Sequence, residues 1–311
     1  MKAISLHSVV PVRTEAREGA EQETQMLFGE LCEILNTQSP THSPQHAVSN
    51  WYHVRLEADG AEGWVDAKMI APIGGKDYSA YKKALKTAAY VAMPMAYAVS
   101  ENNGQTIPLS AGTRLTNYQS TITNGVSTAR FEVLGVGFRI DPGMVLAKPQ
   151  ELNEQNLMQA VRFFLNVPYL WGGKNAMGMD CSGFVQVVMS LFGKSLPRNA
   201  SQQAKCGREI LSLQKAKAGD LVFFGKTSPQ PSPQGREYGE DESPVPVKIT
   251  HVGIILQSPI TNHQSPISVI HCSGRVKVEK IDETGIFSVE RADKDHPQGI
   301  YTHYLAGIRR L

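Results

Sequence analysis

The stretch Tyr169-Leu170-Trp171-Gly172-Gly173, followed by Gly178-Met179-Asp180-Cys181-Ser182-Gly183-Phe184, decides how this 311-residue chain is read. It sets a cysteine where a glycine-rich turn gives way to a helix. Phe184, Val187, Val188 and Leu191 recur at i, i+3, i+4 and i+7, the apolar stripe of a packed helix. Asp180 has the short acceptor side chain of an N-cap, which puts Cys181 in the first turn. Free backbone N–H groups and the positive end of the helix dipole favour a thiolate there, and the thiolate is the nucleophile. A cysteine kept for packing has no need of polar neighbours on both sides and a loop of glycines.

A nucleophilic thiolate needs a base. His251 lies in Ile249-Thr250-His251-Val252-Gly253-Ile254-Ile255-Leu256, a β-branched run that reads as a strand. His271 lies in a second such run, Ser268-Val269-Ile270-His271-Cys272-Ser273. Pro259, Asn262 and Pro266 fill the stretch between, so an antiparallel hairpin is expected, with both imidazoles on one face. His251 then takes the proton from Cys181, and His271 holds the His251 ring in its tautomer. Taken singly, a residue such as any of these three is more often structural than catalytic. Metal binding is the rival use of such a set. However, no C-x-x-C pair exists, and His271 and Cys272, being adjacent, point to opposite faces of a strand. No metal and no organic cofactor is expected. His7, His42, His46, His53, His263, His296 and His303 read as surface residues.

Length gives room for two or three domains, each with its own core. Lys and Arg number 31 against 29 Asp and Glu, and a net charge of +2 argues against nucleic acid or an anionic membrane as the main partner. No stretch approaches the length of a spanning helix. The start, Met1-Lys2-Ala3-Ile4-Ser5-Leu6-His7, lacks the apolar core of a signal peptide. The expectation is a cytoplasmic protein, or a periplasmic or secreted one if a leader has been removed. Cys32, Cys181, Cys206 and Cys272 show no framework spacing, which suits a reducing compartment. A monomer is expected.

The first half of the chain is different in character. Ser8 to Arg13, Gln25 to Leu35, Trp51 to Leu56 and Gly63-Trp64-Val65 are short strand-like runs separated by turns, the spacing of a small barrel. A second, weaker series runs from about Ala89 to Lys148, and Lys76 to Leu85 reads as a linker between them. Asn36 to Ser49, Thr227 to Val247 and Ser258 to Ser268 have the Pro- and Ser-rich composition of loops. The 227–247 segment reads as an insertion ahead of the His251 strand.

These motifs together resemble the NlpC-type papain-like cysteine peptidases of bacteria. The likeness rests on Pro168-Tyr169-Leu170-Trp171-Gly172-Gly173, Asp180-Cys181-Ser182-Gly183-Phe184, Leu196-Pro197-Arg198, Ala218-Gly219-Asp220-Leu221-Val222-Phe223-Phe224, His251-Val252-Gly253-Ile254 and Ile270-His271-Cys272-Ser273-Gly274, in that order. The turn before Gly63-Trp64-Val65 is similar to that of bacterial SH3-like domains. The fold class implied is α+β: two small all-β SH3-like barrels, at 1–75 and (diverged) at 88–150, precede a papain-like catalytic domain at 151–311. The whole arrangement is similar to the γ-D-glutamyl-L-diamino acid endopeptidases of murein peptide recycling.

From that resemblance follow the expected roles. Cys181, His251 and His271 form the catalytic set, and Tyr169 helps to bind the oxyanion. Trp171 lines the substrate groove. Asp180 and Ser182 contact the polar groups of the dipeptide, with a plain N-cap as the alternative for Asp180. The recycling enzymes follow Pro-Arg with Asp-Ser, where this chain has Asn199-Ala200, a loss of one charge and one hydroxyl from the pocket that holds the substrate amine. The first barrel is expected to close one end of the cleft, with Glu30 as the carboxylate for a free N-terminal L-alanine; a solvated edge charge is the alternative. Trp64 and Tyr52 fit either the cleft wall or the barrel core. The expected partner is a murein tripeptide or tetrapeptide, cleaved to release L-Ala-γ-D-Glu. Two further readings stand beside it: a secreted wall endopeptidase (autolysin) anchored by its SH3-like domains, and a non-catalytic wall-peptide binder.

Overall fold

The computed structural model describes residues 1–38, 50–225, 248–256, 267–292 and 294–311. Most of the three loop stretches lies outside the described residues. At their margins, however, Asn36–Gln38 and Ile267–Ser268 belong to strands. Among the described residues no helix is long and apolar enough to cross a membrane.

Residues 2–73 form a seven-stranded sheet, in the order Gln22–Leu27, Val9–Arg13, Glu62–Asp66, Trp51–Leu56, Leu31–Gln38, Lys2–Ser5 and Ile70–Ile73. Alternation turns Val10, Val12, Val54 and Leu56 into one core with Met26 and Cys32. The turn after Leu27 passes through Gly29 at φ 78°, where a Cβ would lie 2.5 Å from the Tyr81 hydroxyl, so glycine is required for both reasons.

Tyr81 belongs to helix α1 (Gly75–Ala84), so the expected linker is a helix. Tyr78, Tyr81 and Leu85 share one face and pack on the neighbouring core, and the Tyr81 hydroxyl donates to the Gly29 carbonyl, 3.1 Å away. That face explains why a polar-looking segment is ordered.

Residues 89–146 build a five-stranded sheet and a three-stranded one. Their core includes Phe131 and Phe138, stacked 5.1 Å apart, and it continues into the first unit through Ile4, Phe28 and Leu31. Each fully buried side chain of this size stabilises by roughly 1.5–3 kcal/mol relative to exposure. The two all-β units are therefore joined by shared apolar surface.

The remainder holds α2 (Glu154–Val161), α3 (Cys181–Ser190), α4 (Ala200–Gln203) and a seven-stranded antiparallel sheet. The sheet order is Arg208–Glu209, Ile300–Arg310, Leu221–Gly225, Ile249–Ile255, Ile267–Ser273, Arg275–Ile281 and Gly285–Ser288. Gly285–Ser288 pairs back onto Ile300–Arg310, so six of the strands close a ring. Helix α3 lies against the strands that carry His251 and His271. Phe184, Val187, Val188 and Leu191 are buried in the core between them, as the stripe predicts.

Candidate active site

Helix α3 begins where its sequence places it. Asp180 is the N-cap, its Oδ1 accepting the Gly183 N–H at 2.7 Å. The same carboxylate accepts from the Gly172 N–H (3.0 Å) and from Ser182 Oγ (3.2 Å). Arg198, only 2% exposed, completes the cluster. Its Nη1 donates to Asp180 Oδ1 (3.0 Å) and Ser182 Oγ (2.9 Å), and its Nη2 donates to Asp180 Oδ2. Its Nε reaches Thr24 Oγ1 of the first unit at 2.7 Å. A buried guanidinium keeps its charge only beside such a partner. Asp180 and Ser182 are thus spent on each other, on Arg198 and on the helix start. Of the two roles expected for Asp180, the N-cap is the one these bonds show.

Cys181 is the first residue of α3 and is 8% exposed. The backbone N–H groups of Val252, the residue that follows His251, and of Ser182 lie near its sulfur and favour the charged form. The expected thiolate is not what the surroundings favour at rest. Burial and the Asp180 charge push the thiol up to about 11, and the two N–H groups and Arg198 offset only part of this. Desolvation outweighs the helix start because the carboxylate that caps the helix sits beside the sulfur.

The His251 and His271 strands pair antiparallel, with Gly253 opposite His271. His251 Nε2 and His271 Nδ1 lie 2.7 Å apart, and both rings are buried. Burial, with repulsion from His271, His303 and Lys277 against a second positive charge, holds His251 well below the usual imidazole range. Burial also lowers His271, against the opposing pull of Glu279. Gly253 makes this approach possible, since a Cβ there would lie 2.6 Å from Val269 Cγ2 and 3.1 Å from His271 Cβ.

Three neighbours of the pair went unread in the sequence. Glu279 Oε2 lies 2.8 Å from His271 Nε2. His303 stacks on His251 with centroids 4.3 Å apart, and burial lowers it to about 4, so it is not the surface residue its context suggested. Phe224 flanks both rings. Glu279 and His303 sit in strands whose alternation looks solvent-facing; only the pairing register brings them inward.

Of the other expected residues, Tyr169 is half-buried beside the sulfur. Burial and the nearby Cys181 and Asp180 raise its hydroxyl, so it stays a proton donor. Trp171 is 59% exposed, and its carbonyl accepts from Gln22 Nε2 of the first unit at 3.0 Å. Asn199 is exposed at the N-cap of α4, its N–H bonded to Gln202 Oε1. Trp64 packs on His53 within the first unit, centroids 5.0 Å apart.

Glu30 is not held open for a ligand ammonium. Lys174 Nζ occupies it at 2.9 and 3.2 Å, and Glu30 Oε2 also accepts the Leu27 N–H. The Lys174 side chain is 6% exposed, and its buried charge takes the carboxylate for itself. The first unit docks on the third through Gln22, Thr24, Gln25 and Glu30, of which only Glu30 was singled out.

Among the described residues, no group of three or more His, Cys, Asp or Glu side chains is placed to hold a metal ion. Cys272 donates its S–H to the Met179 carbonyl at 3.1 Å, on the strand face opposite His271.

Comparison with known proteins finds likenesses along both halves of the chain. Residues 166–234 match the NlpC/P60 family and residues 12–70 match the bacterial dipeptidyl-peptidase Sh3 domain. The γ-D-glutamyl-L-lysine dipeptidyl-peptidase of Bacillus subtilis (strain 168) is 33% identical over 208 residues, which is 65% of this chain and 64% of that protein. The bifunctional muramidase/DL-endopeptidase CwlT of the same organism is 43% identical over 74 residues, 24% of this chain and 22% of that protein. The chain thus spans under two thirds of the length of each of these relatives. The crystal structure of an NlpC/P60 family protein from Bacillus cereus ATCC 10987 superposes with a TM-score of 0.66 at 16% identity, over 100% of this chain and 99% of that one, and shares the fold.

Proposed function

We propose, for a chain that carries an NlpC/P60 peptidase domain behind a bacterial SH3 domain, that it hydrolyses the γ-D-glutamyl-L-diamino acid bond of murein peptides with Cys181, His251 and His271. One observation carries the reading: Cys181 opens α3, the helix packed on the strand that carries His251, and His251 Nε2 is bonded to a second imidazole. The dipeptidyl-peptidase relative supports the choice of substrate.

The chemistry starts from a neutral thiol and a neutral ring. As sulfur attacks the γ-carbonyl carbon of D-glutamate, His251 Nδ1 accepts the thiol proton, and its Nε2 stays bonded to His271. The Tyr169 hydroxyl and backbone N–H groups at the α3 start receive the oxyanion. The protonated His251 gives its proton to the departing α-amine of the diamino acid, leaving a thioester on Cys181. Water then adds to the thioester with His251 as base, releasing L-Ala-γ-D-Glu and restoring the thiol. With Glu30 paired to Lys174, a free N-terminal amine finds its limit in the cleft end closed by the first unit rather than in that carboxylate.

Cys181→Ala is expected to abolish cleavage of L-Ala-γ-D-Glu-diaminopimelate, scored by mass spectrometry, with the melting temperature unchanged. Retained turnover overturns the nucleophile. The similarity to a DL-endopeptidase favours a second reading, cleavage of intact wall. Intact sacculi and tripeptide with a blocked amine separate the two: the recycling reading requires that both be poor substrates, and the wall reading that sacculi be cut.

A further inference from the structure

We propose that Glu279 is a positioning residue for this site, fixing where the protons sit on His271 and His251 and so leaving His251 Nδ1 bare toward Cys181. The inference rests on the catalytic set proposed above and adds a fourth side chain to it.

The placement comes from register. The Ile267–Ser273 and Arg275–Ile281 strands form a hairpin in which Val269 faces Glu279 and His271 faces Lys277. Residues two apart share a face, so Glu279 and Lys277 both stand on the His271 side, Glu279 as its diagonal neighbour. Glu279 Oε2 meets His271 Nε2 at 2.8 Å and Lys277 Nζ at 3.1 Å, with the carboxylate side chain 8% exposed.

A carboxylate accepts and does not donate, so His271 Nε2 carries the hydrogen. A neutral His271 then has a bare Nδ1, which must accept from His251 Nε2 across their 2.7 Å contact. With Nε2 protonated, neutral His251 is bare at Nδ1, the nitrogen that the mechanism proposed above uses to take the thiol proton. Each tautomer is set by the next partner outward, and Glu279 ends the chain. Burial works against its charge, but the bonds from His271 and Lys277 prevail and hold it down to about 2, so it stays an acceptor across the working pH range. When His251 becomes cationic during the reaction, Glu279 is the anion nearest the pair. The other charged or titratable groups facing it are Lys277, which also binds Glu290 at 3.3 Å, and His303 on the neighbouring strand, itself lowered in part by Lys277 and Arg291.

The test uses the full chain. In Glu279→Gln an acceptor remains for both donors but the charge is gone. The expected result is a kcat/KM lower by about tenfold or more with little change in KM. The acid limb of kcat/KM is expected to move to lower pH, and the acid limb of Cys181 alkylation by iodoacetamide, set by the same His251, to move with it. Glu279→Asp keeps the charge and is expected to restore both limbs. Wild-type rates with both profiles in place overturn the proposal. Nitrogen NMR of wild-type protein covers the case of a variant that fails to fold: hydrogen on Nε2 of both rings is expected, and hydrogen on His271 Nδ1 overturns the proposal. Alkylation and NMR need no peptide, so a wild-type protein inert toward the tripeptide removes the substrate reading and leaves these arms to decide Glu279.

Discussion

Arg198 shows how much one side chain holds in place here. It is almost fully buried, it reaches from α4's approach to Asp180, Ser182 and Thr24, and the start of α3 depends on the carboxylate it neutralises. Replacing it by an apolar residue of similar length leaves Asp180 enclosed with no counter-charge. Arg198→Met is therefore expected to cost about 3–5 kcal/mol in urea unfolding. A loss within 0.5 kcal/mol would show that the cluster is dispensable. The N-cap role of Asp180 was legible, because a short acceptor before an apolar stripe has few other uses. The guanidinium was not: 18 residues separate it from Asp180, and nothing local tells a buried arginine from an exposed one. The burial of the sulfur was not legible for a related reason, since a helix start can be seen in sequence and desolvation cannot.

At the level of strands, the two histidine-bearing runs and their antiparallel pairing could be read from β-branched residues and turn composition. The third strand of that face could not. Arg275 to Ile281 alternates charged and apolar residues like any solvated strand, and Glu279 becomes part of the site only through its pairing opposite Val269. Gly253 offers a direct probe of the spacing. A methyl group there enters the space of Val269 and His271. Gly253→Ala is expected to destabilise by about 1–3 kcal/mol by overpacking. It should also lower kcat/KM by more than that stability loss alone would, because it displaces the His271 backbone from its partner. Thermal melts read beside peptide turnover check this; a variant with full activity sinks it. Helix α1 illustrates the opposite error, a helix taken for linker because its apolar face is two tyrosines and a leucine among lysines.

For the molecule as a whole, the fold class was the most readable property, and the way the three units meet was the least. The docking residues Gln22, Thr24 and Gln25 are unremarkable polar positions on an edge strand, and their partners lie some 150 residues away. Acid sensitivity also belongs at this scale, because several depressed groups act together. The imidazoles of His251, His271 and His303 resist protonation when folded, but in the unfolded chain they take up protons as the pH drops below 6.5. The unfolded state then binds more protons, so stability falls from pH 6.5 toward about 4, the value for His303. A further loss follows between about 4.5 and about 2, as the Glu279 carboxylate is forced to protonate. Calorimetric melting temperatures are expected to hold near pH 7 to 8 and decline steadily below 6.5, with His303→Asn softening the upper part of the decline. A flat profile from pH 7 to 4 contradicts the burial of these rings.

The 11-residue strand Ile300–Arg310, which brings His303 onto His251, is paired on both sides along different parts of its length. Residues 300–304 are held by Gly285–Ser288 and residues 304–310 by Leu221–Gly225 and Arg208–Glu209, so the strand is a splice between two ladders that meet at Tyr304. Amides bonded into those ladders are expected to exchange slowly and those along the unpaired margins quickly, which makes the floor beneath His251 only as firm as that splice.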